Sequence, residues 1–209
     1  MGGIFMFKLL RLVLTFFMIL CAFVLGGVMV DRQNLSRDVI RLHIVAASDS
    51  DEDQAVKLQI RDAVVACLSK EMQDVVNVHD AKAFLLDNLE KIETVANSVL
   101  EKAGFSDRVR VEFDKEAFET RVYDTFTLPA GVYEALRITV GEGNGQNWWC
   151  VVFPRFCMPQ KEASFDDVAV SAGFSDSLTN TVTKQEGYEV RFFLLDCLGQ
   201  LQNFFFRGQ

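Results

Sequence analysis

Apolar residues recur with two different periods along this chain, and the alternation between them lays out the elements. Val39 to Ala46 sets Ile40, Leu42 and Ile44 against Arg41 and His43, the two-residue period of a strand with unlike faces. Val56, Ile60, Val64, Leu68 and Met72 then repeat every four residues, which predicts a helix. Ser48 to Asp53 (SDSDED) supplies its cap and places carboxylates at its positive end, while Asp53, Lys57 and Arg61 stack as a charged ladder. A second helix is predicted from Asp80 as its cap, through Leu85, Leu89, Ile92, Ala96 and Val99, to Gly104 as the residue past its end. From Arg108 to Asp114, Val109, Val111 and Phe113 alternate with charged neighbours, a strand with one wet face; Val122 to Leu128 adds another.

The stretch from Leu128 to Cys157 organises the rest. Val132, Leu136, Ile138 and Val140 are apolar with Arg137 and Thr139 between, Gly141, Gly143 and Gly145 allow a turn, and Trp148 to Phe153 is a continuous apolar run. This reads as a hairpin at the centre of a sheet. Adjacent residues of a strand point to opposite faces, so one of Trp148 and Trp149 belongs to the core and the other lies under a helix or on a docking surface. From 158 to 184 the chain turns polar, an exposed excursion with at most short helices. Val190, Phe193, Leu194, Cys197, Leu198, Leu201, Phe204 and Phe205 return to helical spacing despite Gly199, with Thr183 and Glu186 as a capping box. The fold class is therefore α+β: a single domain with a mixed or antiparallel sheet, a central hairpin and helices packed on it.

Residues 12–30 contain Thr15 as their one conventional polar side chain and follow Lys8 and Arg11, which fits a signal peptide or a membrane anchor with its positive end inside. Residues 1–36 thus form the hydrophobic segment, and 37–209 an exported domain. That domain holds 18 of the 21 basic and 28 of the 29 acidic residues, a net charge of about −10. Nucleic acid phosphates would repel it, so nucleic acid binding is rejected.

Little in the chain is arranged for catalysis. His43 and His79 are too few for a metal cage or a His-based triad, and no cofactor motif is present. Asp49, Asp51 and Asp53 resemble the opening of a calcium loop, but Gln54 and Ile60 stand where a glycine and a glutamate are required, and helix capping accounts for them better. The run from Gly141 to Gly145 lacks the Lys-Ser or Lys-Thr of a phosphate loop and reads as a turn. Cys150 beside His43 on one sheet is the single conceivable nucleophile and base, the basis of a competing reading as an exported Cys-dependent hydrolase; an exposed Trp would support a cell-wall-binding module instead. Cys150 and Cys157 could form a disulfide if a turn at Pro154-Arg155 brings their Cα atoms within ~4.4–6.8 Å, whereas an extended segment would hold them too far apart. Arg41 and His43 are expected to pair with Asp49, Asp51 or Asp53 at the strand-to-helix corner, or else to form an exposed recognition patch with them.

Two long motifs carry a resemblance. RLHIVAASDSDEDQ-x-x-KLQIRDAV, from Arg41 to Val64, and LPAG-x-YEALRI-x-VG-x-G-x-G-x-NWWCVVFP-x-x-C, from Leu128 to Cys157, resemble the stage II sporulation protein R family of endospore-forming bacteria. Arg155 departs from the Pro-Pro frequent in that family, and Ala47 from its frequent Asn. The resemblance implies a signalling protein rather than an enzyme, made in the forespore and exported into the intermembrane space. There it would trigger a membrane-embedded aspartic protease that processes the precursor of the early mother-cell sigma factor. Candidate partner-binding residues are Arg41, His43, Asp49, Asp51, Trp148, Trp149 and Arg155.

Overall fold

Strand β1 (Ile40–Val45) is buried along its whole length, and the remaining strands are arranged around it. The computed structural model describes residues 2–123, 126–154, 169–170, 174, 176–183 and 190–207. A long helix α1 (Gly2–Asp38) precedes β1, and α2 (Asp51–Glu71), α3 (Val78–Asp87) and α4 (Leu89–Lys102) follow it. Then come β2 (Val109–Phe118), β3 (Arg121–Val122), β4 (Thr127–Leu128), β5 (Gly131–Val140), β6 (Asn147–Phe153), α5 (Asp176–Val182) and α6 (Val190–Arg207). The main sheet runs β2-β5-β1-β6, with β1 parallel to β5 and antiparallel to β6; β3 and β4 make a separate two-stranded ribbon. The α+β class and the mixed sheet are as the sequence pattern predicts.

The central hairpin needs a correction. β5 and β6 are antiparallel to each other, but β1 lies between them, so Leu42 faces Leu136 on one side and Cys150 on the other. A two-residue turn would have paired the strands directly, whereas residues 141–146 are long enough to step across two strand spacings of about 4.8 Å. The crossing is fixed by the backbone of β1's own exit: the amides of Asn144 and Gly145 donate to the carbonyls of Ala47 and Ala46. A Cβ on Gly145 would stand 2.2 Å from the Ser48 carbonyl oxygen, so the passage closes only around glycine.

One face of the sheet buries Ile40, Leu42, Ile44, Leu136, Ile138, Val109 and Val111 under α2 and α4. The α2 ladder from Val56 to Leu68 is buried as its spacing predicts, and Ser50 caps the helix by accepting the Asp53 amide. Lys57 does not stand in a solvent ladder: it is buried and donates to Gln54 and to the Gln146 carbonyl at 3.0 Å, because the 141–146 crossing lies over the start of α2. The expected second helix is two. Asn88 leaves helical geometry at φ −119°, and the α3 cap is Asn77 rather than Asp80, whose amide Asn77 accepts. Gly104 takes φ 82° past the end of α4, as expected.

The opposite face buries Leu35, Val39, Phe118, Leu128, Tyr133, Ala135 and Val151, together with Leu178 and Val182 of α5. α6 closes this side. Its Gly199 meets the chain just before β5, where an added Cβ would lie 1.6 Å from the Ala130 carbonyl oxygen. Most of 158–184 and Glu186 of the expected capping box lie outside the described residues. α1 is long and apolar enough to cross a membrane, and its residues from Met6 to Gly27 are largely exposed. From Val28 on it joins the domain: Val28, Asp31 and Leu35 are buried, and Ser36 donates to the Val132 carbonyl.

Candidate functional site

Strand parity decides where the polar residues of β1 go. Ile40, Leu42 and Ile44 face α2, so Arg41 and His43 must face the other layer, away from the acidic corner. The expected pairing with Asp49, Asp51 or Asp53 is therefore corrected. His43 is 4% exposed, and its Nδ1 lies 2.9 Å from the Glu116 carboxylate. A carboxylate only accepts, so Nδ1 is the donor in this contact. Nε2 meets Asn147 Oδ1 at 2.7 Å, and the ring stacks on Trp149 at 3.6 Å between centroids. Glu116 also accepts from Arg137 at 2.9 Å, so one carboxylate ties β2 to both β5 and β1.

Arg41 is fully buried among aromatic rings. Its guanidinium lies 4.1 Å from the Phe118 centroid and 5.3 Å from that of Tyr133, and one Nη donates to the Tyr123 hydroxyl at 2.8 Å. Its Nε and other Nη have no hydrogen-bond partner among the described residues. Burial pushes the Tyr133 hydroxyl up to about 12, against the opposing pull of the Arg41 charge, and that hydroxyl donates to the Pro129 carbonyl.

Arg41, His43 and Trp149 thus meet on one face, as neighbours. Trp148 points to the other, packed on the core with the Arg61 guanidinium 5.3 Å from its ring centroid. The opposite aspects of the two Trp are as strand alternation requires. Asp49 accepts the Gln146 amide at 2.7 Å and so latches the first motif to the second; Asp53 accepts the Ser48 hydroxyl, and Gln54 donates to the Ser48 carbonyl. Asp51 is an exposed residue of the first turn of α2. Burial lowers the Lys57 ammonium despite Asp49 nearby. Arg155 and Cys157 lie outside the described residues.

Cys150 is disulfide-bonded and faces the α2 side, so it forms no dyad with His43 on the other. The thiols of Cys21, Cys67 and Cys197 are free; Cys67 is pushed up by burial, which leaves it a poor nucleophile. No group of three His, Cys, Asp or Glu among the described residues could hold a metal ion.

Above the cluster lies a cleft of about 550 Å³ whose walls include Glu116, Phe118, Arg121, Asn147, Trp149 and Phe206. Arg121 sits over the Trp149 ring at 5.2 Å. Glu116, Phe118, Tyr123 and Asn147 are the residues sequence reasoning missed. Extending the β2 alternation from Asp114 to Phe118 would have put Glu116 and Phe118 on the face of His43, but the strand order that makes them neighbours has no local signal.

Fold and cluster together define an α+β domain carried on one apolar N-terminal helix, three of its strands tied on one face by polar side chains at the sheet centre. The family model of stage II sporulation protein R matches residues 36–163, which include both motifs, the corner latch and the His43 cluster. Stage II sporulation protein R of Bacillus subtilis (strain 168) is 37% identical over 181 residues, covering 78% of this chain and 80% of that protein. The chain belongs to the stage II sporulation protein R family and is a sporulation protein. No solved structure matches it significantly.

Proposed function

We propose that the chain is an intercompartmental signal: exported across the forespore membrane, it activates a membrane-embedded aspartic protease of the mother cell, which then processes the precursor of the early mother-cell sigma factor. The observation that carries this reading is the continuity of α1, whose exposed apolar length runs without a break into residues buried in the domain core. A domain so attached is held at the membrane surface, within reach of the outward parts of a membrane-embedded partner. Lys8 and Arg11 at the start of the helix favour a cytoplasmic N-terminus and a domain outside, and a disulfide at Cys150 fits an oxidising exterior. Since packing begins at Val28, the folded unit starts there, and removal of the preceding apolar stretch would leave it intact.

Activation without chemistry is differential binding: the domain holds the protease's active conformation more tightly than its inactive one. Moving that equilibrium from 1:99 to 99:1 takes about 5.5 kcal/mol of preference. The test is co-reconstitution of the full chain with the protease and the sigma precursor in membranes. Precursor cleavage should require the chain and survive replacement of His43; cleavage at equal rates without the chain would refute the reading.

A further inference from the structure

The cleft over the His43 cluster sets charged and aromatic side chains side by side. The walls carry Arg121 and Arg207 against Glu116 and Glu119, with Arg137 and Arg41 behind them, on a chain whose net charge is −8. Both carboxylates are engaged. Glu116 is held by His43 and Arg137, and Glu119 lies 3.8 Å from Arg207. Arg121 and Arg41 have no carboxylate partner among the described residues. Arg41 is fully buried against Phe118, a wall of the cleft, and its charge acts through a poorly screening interior. Of the remaining walls Phe118, the half-buried Trp149 and the exposed Phe206 are apolar, and Asn147 is polar.

We propose that this cleft receives an acidic segment of the protein partner, with a carboxylate on Arg121 and the neighbouring apolar side chain between Trp149 and Phe206. The guanidinium has donors free for a charge-assisted bond, and its position over Trp149 couples anion binding to the indole. The identification of the partner with the protease rests on the activator reading; the chemistry of the segment does not.

Two arms test the proposal separately. In the first, the full-length chain in detergent is titrated with acetyl-Glu-Phe-Glu-amide and with acetyl-Gln-Phe-Gln-amide, followed by Trp fluorescence. The acidic peptide should bind saturably, about tenfold more tightly than the neutral one, and more weakly as NaCl rises from about 0.05 to about 0.5 M. Arg121→Glu should abolish the difference, with Arg121→Ala intermediate and Arg61→Glu, beside Trp148 on the far face, without effect. Equal binding of the two peptides, no saturable binding, or an unchanged preference in a folded Arg121→Glu chain would overturn the proposal. In the second arm, Arg121→Glu should reduce protease activation at sub-saturating chain; undiminished activation would overturn the partner assignment. Failure of the wild-type chain to activate would count against the activator reading, with the peptide arm still judging the cleft.

Discussion

Glu116 is the residue on which the sheet's polar centre depends, because its one carboxylate accepts from His43 on β1 and Arg137 on β5. Glu116→Gln keeps the shape and removes the charge. It should lower unfolding stability by about 1–3 kcal/mol, read as a shift of the urea midpoint at unchanged slope. Combined with His43→Gln the loss should be less than additive by at least about 0.5 kcal/mol, since both changes remove the same contact; strict additivity would mean that the contact is energetically idle. Tyr133 makes a second prediction. The unfolded tyrosine loses its proton near its ordinary value of 10.0, whereas the fold retains it up to about 12. Between those values the native state binds more protons, so stability is complete below pH 10 and falls as pH rises, by up to about 3 kcal/mol. Tyr133→Phe should lose its bond to Pro129 at neutral pH yet show a flatter decline above pH 10; an unchanged alkaline slope would contradict the assignment. Arg41, His43 and Trp149 stand out in sequence as polar or bulky positions in apolar strands. Their partners do not, because Glu116 is 73 positions from His43 and Tyr123 is 82 from Arg41.

Among the elements, α2 was the most legible, since five apolar residues at four-residue spacing leave one face to bury and Ser50 marks where it begins. Strand order was not legible: period-two alternation assigns a residue to a face, but nothing in residues 131–153 records that β1 is inserted between the two strands. The break between α3 and α4 also escaped the pattern, because the apolar series from Leu85 to Ala96 continues in phase across Asn88. The outer edge of β2 is managed by side chains. Asn97 accepts the Val109 amide, Glu93 that of Val111 and Asp114 that of Lys115, which blunts an edge that could otherwise pair with another chain. Gly199 weakens the sequence case for α6 but is what lets that helix lie on the chain before β5. Gly199→Ala, which would stabilise an isolated helix, should therefore destabilise this protein by roughly 3 kcal/mol or more, measured by thermal unfolding. A stabilised variant would mean that α6 does not approach Ala130 this closely.

As a whole, the molecule is a four-stranded sheet covered on both faces, and the end of its own N-terminal helix helps to complete the second cover. Hydropathy alone places the end of the apolar segment near Val30, but not the fact that Leu35 and Ser36 are part of the domain's packing. A chain beginning at residue 37 loses the buried Leu35 and should be less stable than one beginning at Val28 by about 2–5 kcal/mol, measured by denaturant unfolding. The gathering of Arg41, Arg121, Arg137 and Arg207 in and behind the cleft is likewise a property of the assembled fold, since they are scattered along the chain. The most direct test of the account adds purified residues 28–209 to one side of vesicles that contain the protease, with the sigma precursor confined to the other. The account predicts cleavage only when the domain is on the protease's outward side. Cleavage irrespective of side, or none with a folded domain and a competent protease, would contradict it.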